Sequence, residues 1–210
     1  MLNPFDNPAL VEGYEAWYEN PGLRADRLEK TLLQRLLAGF PAAHTLLEVG
    51  CGTGHFTRWF EAQGLQAVGL DVSTPMLAEA VHLGSPPYVQ GDALSLPFSN
   101  NTWDIVAFIT TLEFIPEPVP VLAEAFRVAR DGIILGVLNR QSVLGWQLKH
   151  AGGPVWEVAR FYNPIELVMT VRKAVGEFVE FVWWTTLWPI TSISLPLPWG
   201  GFIGMAVMRR

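Results

Sequence analysis

Three glycines at alternate positions, Gly50, Gly52 and Gly54, follow the short apolar run Leu46-Leu47-Glu48-Val49. Glycine lets a backbone turn sharply and lets a ligand approach the main chain closely. A strand, a tight glycine loop and a helix in that order leave unpaired helix N–H groups beside the loop, a setting that favours an anion. The spacing is G-x-G-x-G, whereas dinucleotide sites carry G-x-G-x-x-G. Carboxylates stand where they could serve the same ligand. Glu48 lies two residues before the first glycine and can accept from loop amides or from a ligand ammonium. Asp71 closes Val68-Gly69-Leu70-Asp71, 21 residues after Gly50, where an acid can accept two hydrogen bonds from a ribose diol. Asp92, in Gln90-Gly91-Asp92-Ala93-Leu94, meets a ligand or bonds its own backbone in a turn. Candidates for proton transfer are few. His150 is the better-placed base, Glu113 is a base or a loop support, and His55 is a helix-face residue. Cys51 should pack under the loop, which removes it as a nucleophile.

These residues need a scaffold, and the apolar pattern supplies one. Strand-like runs recur at Thr45–Gly50, Gln66–Asp71, Pro87–Gln90, Trp103–Ile109, Gly132–Leu138, Phe178–Trp184 and Phe202–Met208. Helical patterns fall between most of them, at Arg24–Ala38, Thr53–Gln63, Ser73–Leu83, Val119–Ala129 and Pro164–Val175. Ser73-Thr74-Pro75 and Asn163-Pro164 supply caps followed by proline in the first turn. Alternating strands and helices imply a parallel sheet covered on both faces. The last two strands have only a loop between them and should pair as an antiparallel hairpin. Ligands of open α/β sheets bind beyond the carboxyl ends of the strands. The long connection 139–162 emerges at that edge, so it is the expected substrate-side cover.

Composition narrows the function classes. With 210 residues, half of them hydrophobic, and a mean hydropathy of +0.25, the chain can bury a sizeable core and is not disordered. A net charge of −6 without a basic block argues against nucleic acid as the main partner. The single cysteine excludes an internal disulfide and gives no metal cluster. The acidic start, with Asp6 and Glu12, is not a secretory signal. No charge occurs from Phe181 to Met208, a stretch long enough to span a bilayer. It also carries Pro189, Pro196, Pro198 and Gly200-Gly201, which break a helix. Two buried strands joined by a Pro-rich loop are therefore expected and no transmembrane segment, with membrane contact through exposed tryptophans as the alternative. A cytoplasmic enzyme is the default reading.

The glycine loop with Glu48, Asp71 and Gly91-Asp92-Ala93 resembles motif I and its downstream partners in class I S-adenosylmethionine (SAM)-dependent methyltransferases, in particular a methyltransferase type 11-like small-molecule subgroup. The likeness is strongest over Leu46–Phe114. It implies an α/β Rossmann-like three-layer sandwich, a mostly parallel seven-stranded sheet with an antiparallel last strand. It also implies SAM as donor and S-adenosylhomocysteine as product. In such a site the ribose would lie on Asp71 and Val72 and the adenine against Met76, Asp92 and the Ala93 amide, flanked by Gly91 and Leu94. The methionine end would meet Gly50, Cys51, Gly52, Gly54 and Phe56, the Thr110 carbonyl, Thr111 and Phe114, with Tyr14 and Tyr18 closing over it. Residues 1–210 then form one methyltransferase domain, with 1–40 as a helical cover and 139–162 as the insert. Trp146, His150, Arg160 and Phe161 would line a pocket for a small, partly apolar acceptor. One departure is Arg130-Asp131-Gly132, where many relatives have a Pro-Gly-Gly turn before strand five. No Asn/Asp-Pro-Pro-Tyr/Phe signature follows the fourth strand, so methylation of adenine or glutamine amino groups is not implied. Two other readings remain open: a SAM-binding non-catalytic or partner-dependent module, and a nucleotide-dependent oxidoreductase.

Overall fold

The computed structural model describes residues 3–189 and 191–210. A seven-stranded sheet in the order β3-β2-β1-β4-β5-β7-β6 forms the middle layer. Its strands are β1 (Thr45–Val49), β2 (Gln66–Asp71), β3 (Tyr88–Gln90), β4 (Trp103–Ile109), β5 (Ala129–Leu138), β6 (Val179–Thr186) and β7 (Phe202–Arg209). β1 to β5 pair in parallel, and β7 runs antiparallel to both its neighbours. The helices are α1 (Pro8–Glu19), α2 (Leu23–Leu37), α3 (His55–Ala62), α4 (Thr74–His82), α5 (Pro118–Val128), α6 (Val143–Ala151) and α7 (Pro164–Val175). This is the Rossmann-like methyltransferase sandwich that the sequence implies.

Successive strand residues face opposite sides of a sheet. Leu46, Ala67, Ile105, Ala107, Ile134 and Ala206 meet Leu28, Leu32, Leu33 and Leu36 of α2 and Phe56 and Phe60 of α3. Leu47, Val49, Val106, Phe108, Ile133, Leu135, Met205 and Val207 meet Val121, Leu122 and Ala125 of α5 and Leu167 and Val171 of α7. Burial on both faces explains why the central strands read as continuous apolar runs.

Several boundaries differ from the expected ones for local reasons. Gly54 takes a left-handed conformation as the N-cap of α3, so this helix starts at His55 and not at Thr53. Arg130-Asp131-Gly132 is not a turn. The chain passes from α5 into β5 at Ala129, and Arg130 pairs with Asp104 at a register shift between β4 and β5. Asp104 also accepts from the His44 and Thr45 amides (2.9 and 3.0 Å), which fixes the start of β1. The C-terminal stretch forms the expected hairpin, but only β7 is continuously buried, over residues 202–207. β6 lies at the sheet edge, with Glu180 and Val182 exposed. Among the described residues, no helix is long and apolar enough to cross a membrane.

Candidate active site

The strand order reverses between β1 and β4, and a crevice opens beyond the carboxyl ends of strands at such a switch point. A cavity of about 690 Å³ occupies it. The loop after β1 forms its floor. Gly50, Gly52 and Gly54 have φ of +72°, +55° and +81°, values that L side chains rarely adopt. A Cβ on Gly50 would stand 2.1 Å from Cγ2 of Thr111, whose hydroxyl donates to the Gly50 carbonyl at 3.1 Å. A Cβ on Gly52 would meet nothing nearer than Met76 Sδ at 3.9 Å, so the missing side chain leaves cavity space open.

The carboxylates gather around this floor. Asp71 accepts from the Gly52 and Ser73 amides, each at 2.8 Å, and so ties the loop to the start of α4. Burial pushes its pKa up although those amides pull it down. Glu48 is buried, takes a hydrogen bond from the Thr57 hydroxyl, and is pushed up to about 8 by that burial. Asp92 accepts the Leu94 amide at 2.9 Å through Oδ1, which is the turn-forming arrangement, and it also lines the cavity. Thr110, leaving β4, holds φ +51° at the cavity wall. A non-glycine residue there costs about 1–3 kcal/mol, a strain that concentrates at ligand sites.

Of the residues expected to hold the cofactor, the structure brings Tyr14, Tyr18, Glu48, Gly50, Cys51, Gly52 and Phe56 to the cavity, with Asp71, Val72 and Met76 beside them. Gly91, Asp92, Ala93, Leu94, Thr110, Thr111 and Phe114 complete that set. Gly54 lies outside the lining. Its missing side chain makes room for Tyr88, whose hydroxyl would stand 2.2 Å from a Cβ. Cys51 packs under the loop, with its Sγ against Gly69.

The acceptor side departs further from expectation. Of Trp146, His150, Arg160 and Phe161, only Arg160 lines the cavity. Residues 143–151 form α6, capped by Ser142, and Leu144 of this helix packs on Gly201. Asn139 donates to the Pro198 and Gly200 carbonyls, at 2.7 and 2.8 Å. Together these contacts turn α6 toward the loop before β7 and away from the cavity. Trp146 is exposed and its ring lies 4.3 Å from that of His150. Phe161 is buried with Leu138 and Ala159. From the insert only Val158 and Arg160 reach the cavity. Trp146→Ala should therefore leave both SAM affinity and methyl-transfer rate within about twofold of the wild type. A tenfold loss in either assay would show that α6 closes onto the cavity.

Sequence reasoning missed the way the N-terminal segment is held down. Tyr18 stacks on His55 at 3.6 Å, and Phe5 meets the edge of Phe114 at 4.8 Å. The Ser73 hydroxyl donates to the Phe5 carbonyl at 2.9 Å. His55 sits between Asp26 (2.7 Å) and Glu15 (3.4 Å), and Arg58 pairs with Glu15 at 3.1 Å. Burial pulls the His55 pKa down, but the two carboxylates outweigh it and raise it. Burial also pushes Glu15 up, yet hydrogen bonds from His55 and Thr53 and the charge of Arg58 hold it at about 2. The advance signals were Phe5-Asp6, Tyr14-x-x-Trp17-Tyr18 and the helix carrying Glu29, which resemble an N-terminal cover, whereas acid–imidazole partners from separate helices leave no spacing to read.

Comparison with known proteins gives the same answer as the geometry. Residues 47–136 match the methyltransferase domain family. The chain is 34% identical over 115 residues to a malonyl-[acyl-carrier protein] O-methyltransferase of Pectobacterium atrosepticum, covering 53% of this chain and 46% of the relative. It is 34% identical over 110 residues to a demethylmenaquinone methyltransferase of Roseiflexus sp., covering 49% and 45% respectively. The chain thus spans about half the length of these relatives. A crystal structure of a SAM-dependent methyltransferase from Thermotoga maritima, described as a possible histamine N-methyltransferase, superposes with a TM-score of 0.79 at 25% identity. That likeness covers 97% of this chain and 98% of the other. Residues 47–136 therefore carry a methyltransferase domain, and the chain shares the fold of SAM-dependent methyltransferases.

Proposed function

We propose that this protein transfers a methyl group from SAM to a small-molecule acceptor. The observation that carries this reading is the cavity at the switch point, where an open glycine floor meets Asp71 and Asp92. SAM, when bound, supplies a methyl carbon activated by a sulfonium leaving group. The chain's own part is to bind, align and exclude water, which needs no catalytic triad. Asp71 would take the ribose hydroxyls and Asp92 the adenine amino group. The loop amides would face the methionine carboxylate, and Tyr14 and Tyr18 would cover that end. The cavity is lined by apolar side chains with a few polar groups, which suits a small molecule. A net charge of −6 disfavours nucleic acid as acceptor, and a cytoplasmic location accords with the composition.

Isothermal titration tests the donor half. SAM and S-adenosylhomocysteine should give saturable heats and raise the melting temperature, and NAD should do neither. A protein indifferent to both SAM and its product would sink the assignment. One that binds SAM yet transfers no methyl group to any acceptor in an amine, alcohol, thiol and carboxylate screen would be the non-catalytic module instead.

A further inference from the structure

One group at the cavity wall has no role in holding the donor. Glu113 lies in the short 3-10 turn Leu112–Phe114 after β4, with 1% of its surface exposed, and it lines the cavity. Its Oε1 accepts the Leu138 amide at 2.6 Å, but its Oε2 is buried without a partner among the described residues. A buried carboxyl oxygen left unpaired costs about 1–3 kcal/mol, more if charged, so its presence calls for a partner that arrives from outside. The position itself is firmly built. The Arg160 amide donates to the Glu113 carbonyl at 2.7 Å, and the Tyr162 hydroxyl donates to the Leu112 carbonyl at 3.2 Å. These bonds fasten the insert's last residues across the turn and fix the carboxyl at the end of β5.

We propose that Glu113 is the acceptor-side catalytic residue and that the methyl acceptor is an amine, held by an N–H to Oε2 and deprotonated there. This rests on the proposed methyl transfer. Among the acids lining the cavity, Asp6, Asp71 and Asp92 stand against His55 and Arg160, while Glu48 and Glu113, pushed up to about 8 by burial, add charge only as pH rises towards that value. His55 is engaged by Asp26 and Glu15, and Arg160 by Glu166. Such a cavity draws a cationic ammonium and repels a carboxylate. The ammonium gives one proton to Glu113 Oε2 and becomes a neutral amine. Its nitrogen lone pair forms the new C–N bond as the C–S bond breaks, and that electron pair stays on sulfur in neutral S-adenosylhomocysteine. The product leaves as an N-methylammonium ion, and Glu113 returns its proton to solvent. Burial pushes the Glu113 pKa up to about 8, so the carboxylate that takes the proton becomes abundant only as pH rises towards 8, and amine methylation should rise with pH over that range. The titratable neighbours that bear on it are Glu29 of α2, and Tyr162 and Arg160 of the insert.

The test is ligand binding to the S-adenosylhomocysteine complex, which does not require the natural acceptor. Ethylamine, butylamine and phenethylamine would be titrated beside 2-phenylethanol and phenylacetate, so that size and head group vary separately. At least one amine should bind at least tenfold more tightly than phenylacetate. Glu113→Gln should abolish that preference and cut amine methylation by about a hundredfold, the scale of losing a general base. The amide retains an oxygen for the Leu138 N–H, so this variant should keep wild-type S-adenosylhomocysteine affinity and melt no lower than the wild type. A purely structural Glu113 would instead give a less stable variant with unchanged amine affinity. Failure of every amine to bind, or equal amine affinity in wild type and Glu113→Gln, would overturn the proposal. Absence of S-adenosylhomocysteine binding in the wild type would count against the donor assignment itself.

Discussion

Asp71→Ala should weaken SAM binding by about 10- to 150-fold. In the proposed donor site the side chain would hold the ribose hydroxyls, and losing those bonds costs about 1.5–3 kcal/mol, the scale for hydrogen bonds to charged groups. A second effect acts in the same direction. Asp71 also accepts the Gly52 and Ser73 amides, so alanine strands two N–H groups and loosens the glycine loop. Asp71→Asn separates these contributions. Its single carbonyl oxygen can keep one of the two amides while its NH₂ faces the other, so its affinity should fall between wild type and alanine. Titration calorimetry with S-adenosylhomocysteine reads both variants. Affinity within threefold of the wild type for Asp71→Ala would remove this residue from the ribose site.

The second large effect is on stability. Glu29, Glu48 and Glu113 are all buried, and burial pushes each from 4.5 to about 8. A carboxyl whose folded pKa lies above its unfolded value holds a proton that the unfolded chain releases. Its stabilising contribution is complete below about pH 4.5 and is lost as pH rises through about 8. His55, raised above its ordinary 6.5, acts in the same direction. Glu15, held near 2, acts oppositely, but only as pH falls below its ordinary value. The ligand-free protein should therefore melt at progressively lower temperature between pH 5.5 and pH 8.5. One proton costs about 1.4 kcal/mol per pH unit, so a single such acid over two units lowers the melting temperature by roughly 5–10 °C. Glu29→Gln should flatten part of the slope. A melting temperature that is level or rising across this range would show that these carboxyls are ionised in the folded protein.

What the sequence reveals follows from how local the signals are. The β1–loop–α3 unit was legible because three glycines, a preceding apolar strand and a following helix lie within about twenty residues, and each has one strong structural meaning. The sheet was legible because both its faces are buried, so strands such as Trp103–Ile109 stand out as unbroken apolar runs. Asp71 and Asp92 could be placed by their position at strand ends. The acceptor side was harder. Trp146 and His150 have the residue types of a pocket, but Ser142 and Asn139 set the direction of α6, and nothing in the spacing of residues 139–162 states that direction. The same holds for His55, whose partners Glu15 and Asp26 come from α1 and α2. Side-chain pairing between helices depends on packing angles that single-sequence periodicity does not encode.

The N-terminal segment has a consequence for turnover. α1 fully buries only Val11, so little apolar area holds it, and it attaches to α3 through the Tyr18 stack on His55 and the ion pairs of Glu15 with His55 and Arg58. Segments held this way open at a free energy far below that of global unfolding. In the proposed site the donor and spent product would lie beneath it, and their exchange would proceed through a local release of α1 while the sheet stays closed. Partly buried ion pairs such as these are screened by salt much less than exposed ones. On that reading the residence time of S-adenosylhomocysteine would follow how often α1 gives up its ion pairs and its Tyr18 stack together, which makes the helix a latch on turnover.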